Sequence, residues 1–130
     1  MKKIEMEFNH ISKNKNIGLV KIIGEVELSN IDKFTNFIKQ VLENPCKILI
    51  FDLKELKYMN SAGFGLLAST AIENKDKKIF LCNMHPTVLK IYNIFGMEKV
   101  CKNFGSVQEA LQAINSGKSQ SIDELTFPLI

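Results

Sequence analysis

The sequence predicts an α/β domain with a mixed, largely parallel sheet of four to five strands and about four helices. Apolar runs of strand length alternate with amphipathic runs of helical length along most of the chain. Two strand-like runs come first, and the run Ile48 to Phe51 is apolar at every position, as in a strand covered on both faces. Such alternation after an N-terminal hairpin is typical of a layered domain with a mostly parallel sheet.

The first two strands form the predicted hairpin. Ile4 to Phe8 alternates apolar and charged residues, which is the period of a half-exposed edge strand. Asn14-Lys15-Asn16 is a predicted turn, and Ile17 to Ile23 reads as a more buried strand that ends at Gly24.

The first helix follows this hairpin. Ser29 and Asn30 offer N-cap side chains, and apolar residues then recur at helical spacing on one face: Ile31, Phe34, Ile38, Val41 and Leu42. The helix is predicted to stop at Asn44-Pro45, because proline disfavours helical backbone at the residue before it.

The second half predicts a helix from about Ser61 to Glu73, a strand from Ile79 to Cys82 and a helix beginning at Pro86. The inward face of the earlier helix is predicted to hold Phe64, Leu67, Ala68, Ala71 and Ile72. That of the later helix is predicted to hold Val88, Ile91, Tyr92 and Phe95, with Gly96 ending it.

The end of the chain predicts a short strand at Val100 and Cys101 and a last helix. Ser106 to Glu109 has the capping-box pattern, and the apolar face of that helix holds Val107, Ala110, Leu111 and Ile114. We predict a domain over residues 1–116 and a tail over residues 117–130. The tail is first polar and then apolar, which leaves docking on its own chain or a second copy and disorder as alternatives, with docking favoured.

Composition excludes several functional classes. The formal net charge of the 130-residue chain is +3, and its lysines are scattered among acids, so a nucleic-acid partner is not expected. Glu5 and Glu7 interrupt any signal-peptide core, and no apolar run spans a bilayer. Three widely spaced cysteines indicate neither a metal site nor a disulfide framework, so we expect no metal and a cytoplasmic location.

Enzymatic motifs are weak in this chain. Gly63 to Ala68 matches the pattern of a dinucleotide-binding loop, but about ten residues separate it from the strand end at Asp52, whereas in that loop the glycines follow the strand directly. Asp52 and Glu55 are close in sequence, yet acids at a strand end are usually solvated. We therefore predict that the protein is not an enzyme and needs no cofactor.

Ser61 admits two interpretations. Serine is among the best N-cap residues, and a helical pattern follows it. Gly63 and Gly65, however, weaken a helix start by roughly 1 kcal/mol each relative to alanine. Small residues beside an exposed hydroxyl would leave room for another protein's active site to reach it. At this level, cap and modification site both remain open.

Three short segments resemble the STAS domain, in its anti-sigma factor antagonist form. Asn60-Ser61-Ala62-Gly63-Phe64-Gly65 is similar to that family's D-S-[SA]-G-L-G at a helix start. Gly24 to Glu27 and Ile94 to Met97 resemble two further family segments, and the order of elements agrees over about residues 4–116. Asn60 stands where the family carries aspartate, and Glu27 also replaces an aspartate.

The resemblance implies a STAS-like layered fold and a regulatory switch. It implies binding to an anti-sigma factor that is also a serine kinase, release of a sigma factor, phosphorylation of Ser61 that ends binding, and a serine phosphatase that restores it. It leaves room for a weak homodimer and predicts no direct membrane insertion. The partner-binding residues that it implies are Glu27, Ser29, Asn30, Asn60, Ser61, Ala62, Gly63 and Phe64.

A second function stays open beside this one. The chain could be a STAS module without phosphorylation, either a scaffold in a signalling assembly or an accessory subunit of a membrane transporter.

Overall fold

A computed structural model of the protein describes residues 3–11 and 14–117, so the predicted tail from residue 118 onward lies outside the described residues. The strands and helices of the described part follow in the order β1 (Ile4–Ile11), β2 (Asn14–Val26), α1 (Ile31–Leu42), β3 (Ile48–Asp52), β4 (Leu56–Met59), α2 (Ser61–Glu73), β5 (Lys78–Cys82), α3 (Pro86–Ile94), β6 (Lys102–Phe104) and α4 (Val107–Gly117).

The strands form one mixed sheet in the order β1-β2-β3-β5-β6, with β4 paired to β2 off this path. Strand β1 is antiparallel to β2, and all other pairs are parallel. The predicted α/β class and largely parallel sheet are confirmed. Strand β4 had no sequence signal because only its end residues, Leu56 and Met59, are buried.

Strand β2 is longer than predicted at both ends. Its start covers the predicted turn at Asn14 to Asn16, and it continues past Gly24 to Val26. Gly24 has φ +109° at a register shift, and its backbone lies directly against the Lys3 carbonyl, where a side chain would clash. Glycine alone adopts this conformation readily. The resulting bulge lies between Gly24 and Glu25, within the part of β2 that pairs with β4 and beyond the part that pairs with β3.

The sheet is covered on both faces. Leu49 and Phe51 face a large core made with α1, α2 and α3, whereas Ile48 and Ile50 face a smaller core made with α4. Successive residues of a strand point to opposite faces, so a strand covered on both sides must be apolar throughout. The prediction that Ile48 to Phe51 is a central parallel strand is therefore confirmed.

Four local predictions were wrong. Ile72 is 53% exposed and does not belong to the core side of α2. Phe95 lies just after α3 and is 49% exposed, so it only partly joins the core, through ring contact with Phe64. Helix α3 ends at Ile94, before the predicted stripe is complete. The last strand begins at Lys102 rather than at Val100, because Met97 to Lys99 forms a 3-10 turn whose backbone engages Val100 and Cys101.

Candidate functional site

Strands β2 and β4 end side by side and bring two distant segments together. Val26 pairs with Met59 at the carboxyl ends of these parallel strands, and the Asn60 N–H donates to the Val26 carbonyl oxygen at 2.9 Å. The turn that follows β2 therefore adjoins the start of α2. This edge holds all eight residues that the resemblance implied for partner binding.

Asn60, and not Ser61, caps helix α2. Its backbone is extended (φ −78°, ψ 175°), and its side-chain oxygen accepts from the Gly63 N–H at 2.9 Å. Asparagine is as good an N-cap as serine because its oxygen satisfies an orphan amide of the first turn. The interpretation of Ser61 as the cap is thus wrong: Ser61 is the first helical residue, and its side chain is exposed.

The two glycines of α2 have different surroundings. A Cβ on Gly63 would lie 2.6 Å from Met59 Cγ and 3.0 Å from Val26 Cγ1, so the absent side chain lets the helix sit close on β2 and β4. Gly65 is exposed, and a Cβ there would meet nothing within 4 Å. Only Gly65 therefore leaves open space next to Ser61, one helical turn along.

Three of the eight implied residues, Asn30, Gly63 and Phe64, are not at the surface. Gly63 is buried, and the Phe64 side chain is fully buried, with its ring edge-to-face with Phe95 at a centroid distance of 6.0 Å. These two residues support the first turn of α2 from below. Ser61 and Ala62, by contrast, are both exposed.

Asn30 stabilises the turn after β2 from inside. It is 7% exposed; its side-chain oxygen accepts from the Glu27 N–H at 3.0 Å, and its amide group donates to the Glu25 carbonyl at 2.8 Å. The prediction that Ser29 or Asn30 caps α1 with its side chain was wrong, because the Asn30 side chain is bound within the turn instead. The Ser29 hydroxyl donates to the Glu27 carboxylate.

Leu28 is the functional candidate that the sequence reasoning missed. Its side chain is 83% exposed at the tip of this turn, between Glu27 and Ser29. The Leu28 side chain therefore gains no stability from burial, and only the backbone of the turn sets its position. The sequence offered one signal for Leu28: it is an apolar residue that belongs to neither the predicted strand nor the predicted helix.

One acid and one glycine of the patterns that suggested enzymes, Asp52 and Gly63, have structural roles. Asp52 Oδ1 accepts from the Lys54 N–H at 3.1 Å and from the Asn83 side chain at 2.9 Å, and so stabilises the end of β3. Burial of Gly63 against Met59 also removes it from any phosphate cradle. No cluster of three or more potential metal ligands occurs within residues 3–11 and 14–117. None of the helices in this part of the chain is long and apolar enough to cross a membrane.

The family model of the STAS domain matches residues 10–110. The chain belongs to the STAS domain family. The match includes the capped first turn of α2 and the turn after β2, so both segments of the site lie inside the matched region.

Relatives of this STAS domain include the "Anti-sigma F factor antagonist" of Paenibacillus polymyxa. The two sequences are 21% identical over 111 residues, which is 83% of this chain and 92% of the relative. The "Anti-sigma-B factor antagonist" of Staphylococcus aureus (strain NCTC 8325 / PS 47) is 21% identical over 61% of this chain and 75% of its own length.

Solved structures share the fold of this STAS domain. An anti-sigma factor antagonist from Mycobacterium paratuberculosis matches with a TM-score of 0.76 at 19% identity, over 87% of this chain and 95% of that protein. The antagonist SpoIIAA in its unphosphorylated form matches with a TM-score of 0.67 at 18% identity, over 85% and 98%. Part of the murine anion transporter Slc26a9 also matches, with a TM-score of 0.71 at 14% identity, over 90% of this chain but only 23% of the transporter.

Proposed function

We propose that this STAS domain is an anti-sigma factor antagonist that binds an anti-sigma factor of the serine-kinase type and thereby releases a sigma factor. Phosphorylation of Ser61 switches the binding off, and a serine phosphatase restores it. The observation that carries the proposal is the exposed hydroxyl of Ser61 at the first position of α2, in a helix already capped by Asn60. The curated relatives bear the antagonist name.

The separation of cap and hydroxyl supports a role for Ser61 as phosphate acceptor. If the hydroxyl capped the helix, its modification would alter the cap hydrogen bond that its oxygen accepts. Because Asn60 supplies that bond at 2.9 Å, a phosphate on Ser61 leaves it intact. The positive end of the helix dipole also favours a group of about −1.5 to −2 charges there. The fold is therefore expected to survive phosphorylation.

The surroundings of Ser61 suit a partner surface that a phosphate would disrupt. Ser61 and Ala62 are exposed, Leu28 is exposed on the adjoining turn, and Gly65 leaves space one turn along. A partner that covers both the turn of Leu28 and the start of α2 desolvates the Ser61 hydroxyl. A phosphate at that position would resist desolvation, at a cost of several kcal/mol, so binding would be lost while folding is kept.

The proposed protein is a regulator without catalysis of its own, acts in the cytoplasm, and takes the phosphate from ATP bound by the kinase. Glu27, Ser29 and Asn30 shape the partner surface from the turn, and Asn60 does so from the helix start. Neutral Asn60 puts no charge beside the acceptor, which favours a doubly charged phosphate at Ser61 more than an aspartate would.

Substitutions at Ser61 test this function. Binding to the serine-kinase anti-sigma factor of the source cell is measured for the wild type, Ser61→Ala and Ser61→Asp. We expect Ser61→Ala to bind like the wild type and Ser61→Asp to bind at least about tenfold more weakly, a difference of about 1.4 kcal/mol. Ser116→Asp, the same change on the exposed end of α4, is the matched control and is expected to bind normally.

Phosphorylation itself is tested by intact-mass analysis of the protein purified from its own cells. A phosphate-sized addition that maps to Ser61 is expected, and it should be missing from Ser61→Ala. Equal binding by Ser61→Ala and Ser61→Asp, together with no modification, would contradict the switch.

The alternative function is a STAS module without phosphorylation, in a signalling scaffold or beside a membrane transporter. The structural similarity to part of the anion transporter Slc26a9 supports this alternative. In that case the bound partner is an assembly component, and its affinity does not respond to the charge at position 61.

A further inference from the structure

A basic groove lies at the end of the sheet opposite Ser61. It has a volume of about 370 Å³ and lies between the turn after α2, the amino ends of β5 and β6, and the turn at Met97 to Lys99. We call it the lysine groove; it is lined by Lys75, Lys77, Lys78, Lys99 and Lys102, by one acid, Glu98, and by Ala71, Ile79, Phe80 and Val100.

The tertiary structure concentrates charge in this groove. Its five lysines and one acid give a formal charge of +4, whereas the whole chain carries +3 from 17 lysines and 14 acids. The rest of the chain, with 12 lysines and 13 acids, therefore has a formal charge of −1. A site that gathers cations beyond the total charge of the protein attracts an anionic partner.

One cation of the groove is preorganised. The Lys77 ammonium donates to the backbone carbonyls of Asn44, at 2.7 Å, and of Cys46, so this cation is anchored to the turn before β3. Ile79 is buried in the floor, and Phe80 and Val100 are half-buried there. The complementary ligand therefore combines carboxylates or other anions with apolar groups.

The last described helix ends at the same edge of the sheet. Helix α4 begins just after β6 and returns along the sheet, and Ile114 packs in the same cluster as Ile17 and Ile48, near the amino ends of their strands. Gly117, which ends α4, therefore lies towards the amino edge. Lys78 and Lys102, at the amino ends of β5 and β6, line the groove at that edge.

We propose that the chain's own segment of residues 118–130 docks in the lysine groove. Asp123 and Glu124 are its only acids, and the apolar residues Leu125 and Phe127 follow them. Five residues lie between Gly117 and Asp123, so an extended chain reaches about 20 Å from the end of α4 to the first acid. The acids contact the lysines, and the apolar residues cover Phe80 and Val100.

Tethering makes weak contacts sufficient for this docking. Single exposed ion pairs contribute at most about 1 kcal/mol each, but a short linker gives an effective concentration in the millimolar range. The proposed docking surface is separate from Ser61. The inference is independent of the proposed switch, because it concerns the opposite edge of the sheet.

Carbodiimide crosslinking of the full chain tests this proposal, because the reagent joins a carboxylate to a lysine only when the two are in direct contact. Mass spectrometry is expected to find Asp123 and Glu124 joined to groove lysines. In Lys75→Glu/Lys99→Glu, the crosslinks to the unchanged Lys78 and Lys102 are expected to fall at least about fivefold. Lys57→Glu/Lys90→Glu, the same change at two exposed lysines outside the groove, should leave them unchanged.

A mixture of ¹⁴N- and ¹⁵N-labelled protein identifies the chain that supplies the segment. Crosslinks within one isotopic species support docking on the same chain, whereas mixed-isotope crosslinks to the groove would show a second copy and overturn the proposal. Crosslinks to Lys57 and Lys90 as frequent as those to the groove would also overturn it, and so would retention of the Lys78 and Lys102 crosslinks in the charge-reversed variant.

Discussion

The side-chain oxygen of Asn60 accepts a hydrogen bond from the backbone N–H of Gly63 at 2.9 Å, across the first turn of α2. This bond assigns the capping of the helix to the residue before Ser61. Cap and exposed hydroxyl are therefore two side chains, and each can change without the other.

Removal of the cap should destabilise the protein, and removal of the hydroxyl should not. We expect Asn60→Ala to lower the free energy of unfolding by about 1 kcal/mol, because the Gly63 amide loses its partner. Ser61→Ala is expected to stay within about 0.5 kcal/mol of the wild type. Urea unfolding checks both values. A loss at Ser61→Ala as large as at Asn60→Ala would show that the hydroxyl takes part in capping.

Alanine should have opposite effects at the two glycines of α2. Gly63→Ala places a methyl group 2.6 Å from Met59 Cγ, so we expect a loss of about 1–3 kcal/mol from overpacking. Gly65→Ala meets nothing within 4 Å and should raise the free energy of unfolding by up to about 1 kcal/mol through helix propensity. Thermal and urea unfolding compare the pair. Equal effects would mean that Gly63 is not in close contact with the strands.

Leu28 should contribute to partner affinity and not to stability. Its side chain is 83% exposed beside the start of α2, so Leu28→Asp is expected to leave the free energy of unfolding within about 0.5 kcal/mol of the wild type. Burial of a leucine at an interface is worth about 1.5–3 kcal/mol, so affinity for the anti-sigma factor should fall at least about tenfold.

Ile72→Asp is the matched control for Leu28, since Ile72 is also exposed, at 53%, but lies in the last turn of α2. Calorimetric titration of both variants measures the affinities. Normal binding by Leu28→Asp, or an equal loss of affinity in both variants, would show that Leu28 is not part of the interface.

Stability should fall in alkaline solution. Burial raises the pKa of the Cys101 thiol to about 12, and burial followed by the Asp52 carboxylate raises the pKa of Cys82 to about 12. Burial is also the main cause that raises the pKa of the Tyr92 hydroxyl to about 12. The unfolded chain releases these protons from about pH 9, so stability is complete below pH 9 and is lost as the pH rises towards 12.

The variant Tyr92→Phe isolates the contribution of Tyr92 to this pH dependence of stability. The variant loses the hydrogen bond from the Tyr92 hydroxyl to the Cys101 carbonyl at 2.7 Å, which lowers the free energy of unfolding at pH 7 by about 1 kcal/mol. It also loses one titrating group, so its stability should decline less steeply between pH 9 and 10.5. Urea unfolding across that range gives both slopes, and a steeper decline in the variant would contradict the assignment.

Much of the fold followed from periodicity, because burial on one face or on two leaves a pattern in the sequence. The apolar run Ile48 to Phe51 predicted a central strand, and the structure covers it on both faces. Strand β4 was missed because its two middle residues, Lys57 and Tyr58, are both exposed, so the alternation of a half-buried strand is absent. Ile72 and Phe95 were misplaced because apolar character alone does not specify which helix face meets the sheet.

The sequence by itself determined the α/β class, the alternation of strands and helices apart from β4, and the presence of Ser61 at a helix start, since these depend on local spacing and capping chemistry. The tertiary structure alone decided that Asn60 is the cap, that Gly63 is in close contact with Met59 and Val26, and that the turn holding Leu28 follows a strand end bonded to Asn60. It also brought five lysines into one groove. These relationships join residues far apart in the chain, and the pairing of parallel strands, which local patterns do not encode, sets the distances between them.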